Sequence, residues 1–340
     1  MSCGLQLPGA RSPKLMPIRI LARAACTIAF LPIIVPGSSA APSSHFIQVN
    51  GVRLEYLDWG GNGEALIFLA GLGDTPYIYN DLAPEFRFHF RCLGLTRRGY
   101  GRSAQPESGY ELDSLVQDIA SFVDALHLRN VTVVGHSFGG TEAIRLSELH
   151  PEMLRRVILL DTAYDLAPPS VREAQANLFP ALVGMPMNEV LGSLEAFREF
   201  QRGIHGNVWS DASEANLHEQ LIVNGDGSIK LRSPARVEEA ILRDGAVGKW
   251  KLTRIPVTGL LIFAHNPMSD QLSRVTLDAS SAAEIRKASD ERENARRGQI
   301  EAFRRDSSKA QIVEFDHTDH RCFIQRREEV LKEMKRFLRY

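Results

Sequence analysis

Past residue 44 the chain alternates short apolar runs with longer stretches in which apolar residues return every three or four positions. The short runs are Ala65 to Ala70, Arg91 to Leu95, Val131 to Val134, Val157 to Leu160, Gly259 to Phe263 and Gln311 to Phe315, and each has the length of a buried strand. Ahead of them, Phe46 to Val49 and Arg53 to Trp59 flank Asn50-Gly51, a pair suited to a tight hairpin turn. Leu115, Val116, Ile119, Phe122, Val123 and Leu126 keep helical spacing, and so do Val330, Leu331, Met334, Phe337 and Leu338 near the end. Strands and helices in alternation predict an α/β fold whose mostly parallel, eight-stranded sheet has helices on both faces.

Two stretches break that rhythm. From 165 to 253 no strand is expected, only Pro168-Pro169, helical patches such as Val190 to Phe200, and the turn Asn224-Gly225-Asp226-Gly227. So long a segment is hard to place inside one sheet. Ser281 to Arg305 is highly charged, with Ile285, Ala288, Ile300 and Phe303 as sparse apolar points, and reads as a solvated helix packed at an edge.

The strand Val131 to Val134 runs straight into Gly135-His136-Ser137-Phe138-Gly139, and a helix is expected from Thr141 to Leu149. Gly-x-Ser-x-Gly between a strand and a helix is the setting of a nucleophile elbow, where Ser137 is held clear of the sheet. A Cβ at Gly135 or Gly139 would meet the neighbouring strand or helix. Upstream, Ala65 to Ala70 leads into Gly71-Leu72-Gly73-Asp74, and Arg91 to Leu95 into Thr96-Arg97-Arg98-Gly99-Tyr100-Gly101-Arg102-Ser103.

These three motifs, in this order, resemble the α/β-hydrolase superfamily, most closely its lid-bearing esterase and epoxide-hydrolase-like branch. The resemblance covers nearly all of the chain from His45 to Tyr340. It implies a core of residues 45–164 and 254–340, and a helical lid of residues 165–253 inserted after the sixth strand. It further implies that the N–H groups of Leu72 and Phe138 receive a developing oxyanion. Ala70 stands where the family often has His, which a backbone donor tolerates. Thr96 replaces the Asp of the family's Asp-x-x-Gly-x-Gly-x-Ser turn, and Arg98 and Ser103 read as scaffold.

A serine hydroxyl needs a positioned base. Directly after the last strand comes Asp316-His317-Thr318-Asp319-His320, and the family pattern Gly-x-x-His-x-x-Phe maps onto Asp316 to Phe323 with His320 in register. His317 is the neighbouring rival. His136, inside the elbow, points away from Ser137 and reads as packing. For the acid, the family's usual loop after the seventh strand is Ala264 to Asp270 here, with Asp270 three residues late. Asp161, ending the sixth strand, is the first choice, with Asp270, then Asp165 or Asn266, as alternatives.

The formal net charge of −1 over 340 residues, without a basic block, excludes nucleic acid as a natural partner. No cysteine–histidine cluster has zinc spacing, and no cofactor is required. Residues 1–40 carry Arg11, Lys14, Arg19 and Arg23, no acidic residue, an apolar run from Ala24 to Val35, and Gly37-Ser38-Ser39-Ala40. That is the layout of a signal peptide, starting from Met1 or Met16, with an organellar transit peptide as the rival. The run is too short for a stable membrane anchor. Its removal takes four basic residues and no acidic one, leaving 36 basic against 41 acidic and a formal charge of −5. Cys92 and Cys322 would remain, as unpaired buried thiols.

The expectation is therefore an exported serine hydrolase, periplasmic or secreted, acting on a small-molecule carboxylic ester or related acyl bond through Ser137, His320 and Asp161. Amide, lactone or carbon–carbon bond hydrolysis on the same residues is the alternative, followed by a non-catalytic binding protein of the same fold. Serine at the elbow argues against epoxide and haloalkane chemistry, for which the family places aspartate there.

Overall fold

Asn50 and Gly51 both take positive φ, 47° and 74°, the backbone that a two-residue hairpin turn requires. They join β1 (Ser43–Val49) to β2 (Val52–Gly60) as an antiparallel pair. In the computed structural model the described residues are 1, 41–162, 187–205, 208–245, 252, 254–265 and 279–340. The leader expected over residues 1–40, the Pro168-Pro169 segment, Asp165, Asn266 and Asp270 lie outside them, apart from Met1. The chain divides into two units, Met1–Ser38 and Ser39–Tyr340, and the second is the one described below.

The remaining strands are β3 (Glu64–Leu69), β4 (Phe90–Leu95), β5 (Val131–His136) and β6 (Leu154–Leu160). After a gap come β9 (Thr258–His265) and β10 (Ala310–Asp316), the labels β7 and β8 belonging to the short hairpin Leu221–Val223 and Ile229–Leu231. One eight-stranded sheet runs in the order β1-β2-β4-β3-β5-β6-β9-β10. It is parallel from β4 onward, as the alternating pattern predicts.

Because side chains alternate across each strand, the central strands feed two cores. Ala65, Ile67 and Leu69 of β3 pack on one face with α1 (Leu112–Ala125) and α2 (Phe138–Leu149). Leu66 and Phe68 pack on the other with Tyr79, Phe86 and the C-terminal helix carrying Val330, Met334 and Phe337. Such strands are apolar on both sides, which is why they read as unbroken runs.

Residues 187–245 contain α3 (Leu194–Ile204), α4 (Asp211–Gln220) and α5 (Ala235–Gly245), around a small core of Val190, Phe197, Phe200, Leu217, Leu221 and Ile229. The strand-free expectation for this region fails at β7 and β8. These two strands close over the expected Asn224–Gly227 turn and form a sheet of their own. The charged stretch near the end forms α6 (Ala279–Asp306). Among the described residues no helix is long and apolar enough to cross a membrane.

Candidate active site

Ser137 sits between β5 and α2 with φ 52° and ψ −123°, a conformation that L residues avoid and that the surroundings must impose. Its N–H donates to the Leu160 carbonyl at 3.2 Å, and its carbonyl accepts from Gly140 N–H at 3.0 Å and from Thr162 Oγ1 at 3.2 Å. The flanking glycines make room. A Cβ on Gly135 would lie 2.4 Å from the Gly139 carbonyl oxygen, and one on Gly139 would lie 2.3 Å from the Leu69 carbonyl oxygen. Gly140, unremarked in the sequence reading, is equally confined, since a Cβ there would meet Thr162 Oγ1 at 1.9 Å. Phe138 is the first residue of α2, so its N–H belongs to the unpaired end of the helix.

Asp161 follows β6 with φ 46°, its own N–H donating to Ile262 at 2.7 Å across the sheet. Its carboxylate is 1% exposed. Asp161 Oδ2 lies 2.6 Å from His320 Nδ1, and Oδ1 accepts from Ala264 N–H at 2.8 Å and from Arg296 Nη2 at 2.5 Å. Burial alone would raise the Asp161 pKa. The Arg296 charge, the His320 contact and the Ala264 N–H outweigh it, and the group stays well below the usual carboxylate range. Aspartate 161, at the end of β6, is thus the carboxylate that His320 meets.

His320 lies on the loop after β10. His317 takes a positive φ of 51° on the same loop, and Thr318 N–H donates to the His265 carbonyl at 2.9 Å. Leu72, Ser137, His136 and His320 line one cavity of about 590 Å³. Its far walls come from residues 187–245, with Val190, Phe197, Phe200, Ile204 and Leu242 supplying apolar surface.

His136 is packed as expected, against Phe323, and it also meets the His320 loop. It is buried, lines the same cavity, lies tilted at 45° to the His320 ring with centroids 4.5 Å apart, and pairs its Nε2 with the His320 carbonyl at 3.0 Å. Burial, with the His320 charge adding to it, pushes its pKa down to about 3, so the ring is neutral around pH 7. Arg98 and Ser103 match their scaffold reading: Arg98 Nε donates to Asp118 at 2.6 Å and Ser103 Oγ to the Thr96 carbonyl at 2.8 Å. Cys92 and Cys322 are free and buried, with the Cys92 thiol pushed up to about 12 by burial.

The residue missed in the sequence is Arg296. Arg296, Ile300 and Phe303 share one face of α6 at helical spacing and are all buried. The two apolar residues mark the stripe in the sequence, while an arginine beside them carries no such mark because arginine is usually exposed.

A second buried network joins the Asp74 loop to α4 and the His320 loop. Asp74 Oδ1 accepts from Asn216 Nδ2 at 2.8 Å, Gln220 Nε2 at 3.1 Å and Arg321 Nη2 at 2.8 Å. Asn216 Oδ1 in turn accepts from Thr75 N–H at 2.7 Å and Thr75 Oγ1 at 2.9 Å.

A family model described as alpha/beta hydrolase fold matches residues 64–194. Among curated proteins, epoxide hydrolase 2 of Caenorhabditis elegans is 28% identical over 125 residues, 36% of this chain and 35% of that protein. N-formylmaleamate deformylase of Pseudomonas putida is 34% identical over 116 residues, 34% of this chain and 43% of that protein. The match thus spans less than half the length of either relative. Among solved structures, E-2-(acetamidomethylene)succinate hydrolase superposes with a TM-score of 0.65 at 17% identity, covering 88% of this chain and 100% of that one, a likeness of fold.

Proposed function

We propose that this chain, which belongs to the α/β-hydrolase superfamily and is a hydrolase of that fold, cleaves a carboxylic ester or related acyl bond through a serine-bound acyl intermediate. The observation that carries the reading is the 2.6 Å contact between the buried Asp161 Oδ2 and Nδ1 of His320, which shares a cavity wall with Ser137. With Nδ1 committed to the carboxylate, Nε2 is the nitrogen for proton traffic. Ser137 Oγ attacks the acyl carbon and passes its proton to His320, and His320 returns that proton to the leaving oxygen. Water, activated by His320 in the same way, then releases the acid and frees Ser137. Asp161 holds the tautomer and stabilises the imidazolium. The Phe138 and Leu72 N–H groups take the oxyanion.

In this reading residues 165–253 act as a lid whose apolar wall selects the acyl or alcohol portion. The chain is exported once residues 1–40 are removed. Amide or carbon–carbon bond cleavage on the same residues is the second reading, favoured by the similarity to a deformylase. Epoxide opening is less favoured, because Ser137 occupies the elbow.

A fluorophosphonate probe should label Ser137, and a series of p-nitrophenyl esters of increasing chain length should reveal turnover. Ser137→Ala should abolish labelling and cut turnover by roughly 10⁴-fold or more while leaving the thermal midpoint nearly unchanged. Turnover within tenfold of the parent in Ser137→Ala would remove the serine assignment.

A further inference from the structure

Arg296 is the charge that bears most directly on the candidate acid, and it comes from outside the cavity wall. Its side chain is 5% exposed, and Ile300 and Phe303, anchored in the core on the same face of α6, bring it in beneath the end of β6. Its Nη2 donates to Asp161 Oδ1 at 2.5 Å, while the other carboxylate oxygen meets His320 at 2.6 Å. The helix is tied in place beside this contact, since His265 pairs Nδ1 with Glu293 at 3.1 Å and Nε2 with Glu314 of β10 at 2.8 Å.

We propose that Arg296 is a positioning residue for the His320 base, fixing the Asp161 carboxylate and setting the lower pH edge of activity. The inference rests on the serine-hydrolase reading above. Two effects follow from the geometry. First, rotation of the carboxylate would swing Oδ2 out of line with the imidazole, and donors on Oδ1 from Arg296 and Ala264 oppose that rotation. Second, the guanidinium remains charged at every working pH, so it offsets the negative charge that would otherwise stabilise the imidazolium. Taking that charge away would leave the full carboxylate charge facing the imidazole, so the acid limb of activity is expected to move up in a variant that lacks it.

The charges flanking His320 on its own loop have partners. Asp319 and Arg321 flank it on its own loop, and Arg321 pairs with Asp74 at 2.8 Å. Asp319 pairs with His205 at 3.3 Å. The neighbouring His136 ring is kept neutral by burial, and the Cys322 thiol nearby is held protonated by burial. Arg296 faces Asp161, and Glu293, one turn earlier on α6, pairs with His265 and with Arg297.

The experiment compares Arg296→Gln and Arg296→Met with Arg296→Lys in the full chain. Two readouts are followed against pH: kcat/KM on a p-nitrophenyl ester, and the NMR resonance of the His320 Nδ1 proton in a Ser137→Ala background. Removing the charge should move the acid limb and the NMR midpoint up by about one pH unit, and lysine should bring both back toward the parent. The resonance titrates without turnover, so a chain that hydrolyses no ester still tests Arg296 while the serine-hydrolase reading fails separately. An unmoved NMR midpoint in Arg296→Gln and Arg296→Met overturns the proposal, whatever happens to kcat. Failure of both charge-removing variants to fold also overturns it, because the arginine would then serve the fold and not the base.

Discussion

Each side chain around Ser137 has its role set by its partner rather than by its type. Two histidines whose ring centroids lie 4.5 Å apart meet different partners. His320 meets a buried carboxylate, while His136 has only the backbone carbonyl of His320 for its Nε2 and stays neutral through burial. The cost of that neutrality depends on pH. The folded His136 binds a proton only near pH 3, the unfolded one near 6.5, so the unfolded state binds more protons between those values. Stability from this group is complete above about pH 6.5 and is lost progressively as pH falls toward 3. His205, also pushed down by burial and by Arg321, acts in the same direction. The thermal midpoint should therefore fall between pH 6.5 and 4.5, before the carboxylates titrate, and fall less steeply in His136→Gln. Parallel curves for the two proteins would refute this. For the acid, Asp161→Asn should keep the fold and cost about 10⁴-fold in kcat, since an amide favours the wrong imidazole tautomer. Asp270→Asn should cost less than about tenfold in the same assay, and the reverse pattern would move the acid to residue 270.

At the level of elements, the elbow is a packing problem solved by three glycines. Helix α2 lies so close to β5, to the end of β3 and to Thr162 that Gly135, Gly139 and Gly140 have no room for a Cβ. Gly140→Ala is the most informative change, because its Cβ would collide with Thr162, the residue that holds the Ser137 carbonyl. Overpacking of this kind costs typically about 1–3 kcal/mol. The loss should appear both in urea unfolding and in fluorophosphonate labelling of Ser137, since the strain falls on the serine's own backbone. A Gly140→Ala protein with unchanged midpoint and labelling rate would show that the contact relaxes freely. Helix α6 teaches a related lesson. Its outward faces are charged and one stripe is buried, and a single arginine on that stripe reaches a carboxylate at the end of the third strand from the sheet edge only because Ile300 and Phe303 anchor the helix.

Across the molecule, one buried network ties residues 187–245 to the sheet. Asn216 of α4 both donates to Asp74 and accepts twice from Thr75, so it joins the cavity wall to the loop that carries Leu72. Asn216→Leu would strand the Thr75 donors and one Asp74 lone pair, at a cost of about 1–3 kcal/mol for each buried group left unsatisfied. Because the network holds the cavity wall to the loops of Leu72 and His320, KM for long-chain esters should rise and kcat should fall with it. An Asn216→Leu protein with parent stability and KM would show that this wall is held by apolar contacts alone.

The sheet, its order of strands and helices, and the positions of Ser137 and His320 within it were legible in the residues. Buried parallel strands must be apolar on both faces, tight turns must carry glycine, and both requirements are local, so they leave marks on a short stretch of chain. The hairpin Leu221–Leu231 was not legible, since three-residue strands with Val223 and Leu231 exposed carry no clear alternation. Nor could Asp161 be separated from its rivals by pattern, because any carboxylate near a strand end looks alike until its distance to an imidazole is known. The entry of Arg296 and the Asp74 network were decided by the tertiary structure alone. They join residues up to 247 positions apart, and the energy of a buried charge depends on the partner that folding brings to it rather than on its neighbours in sequence.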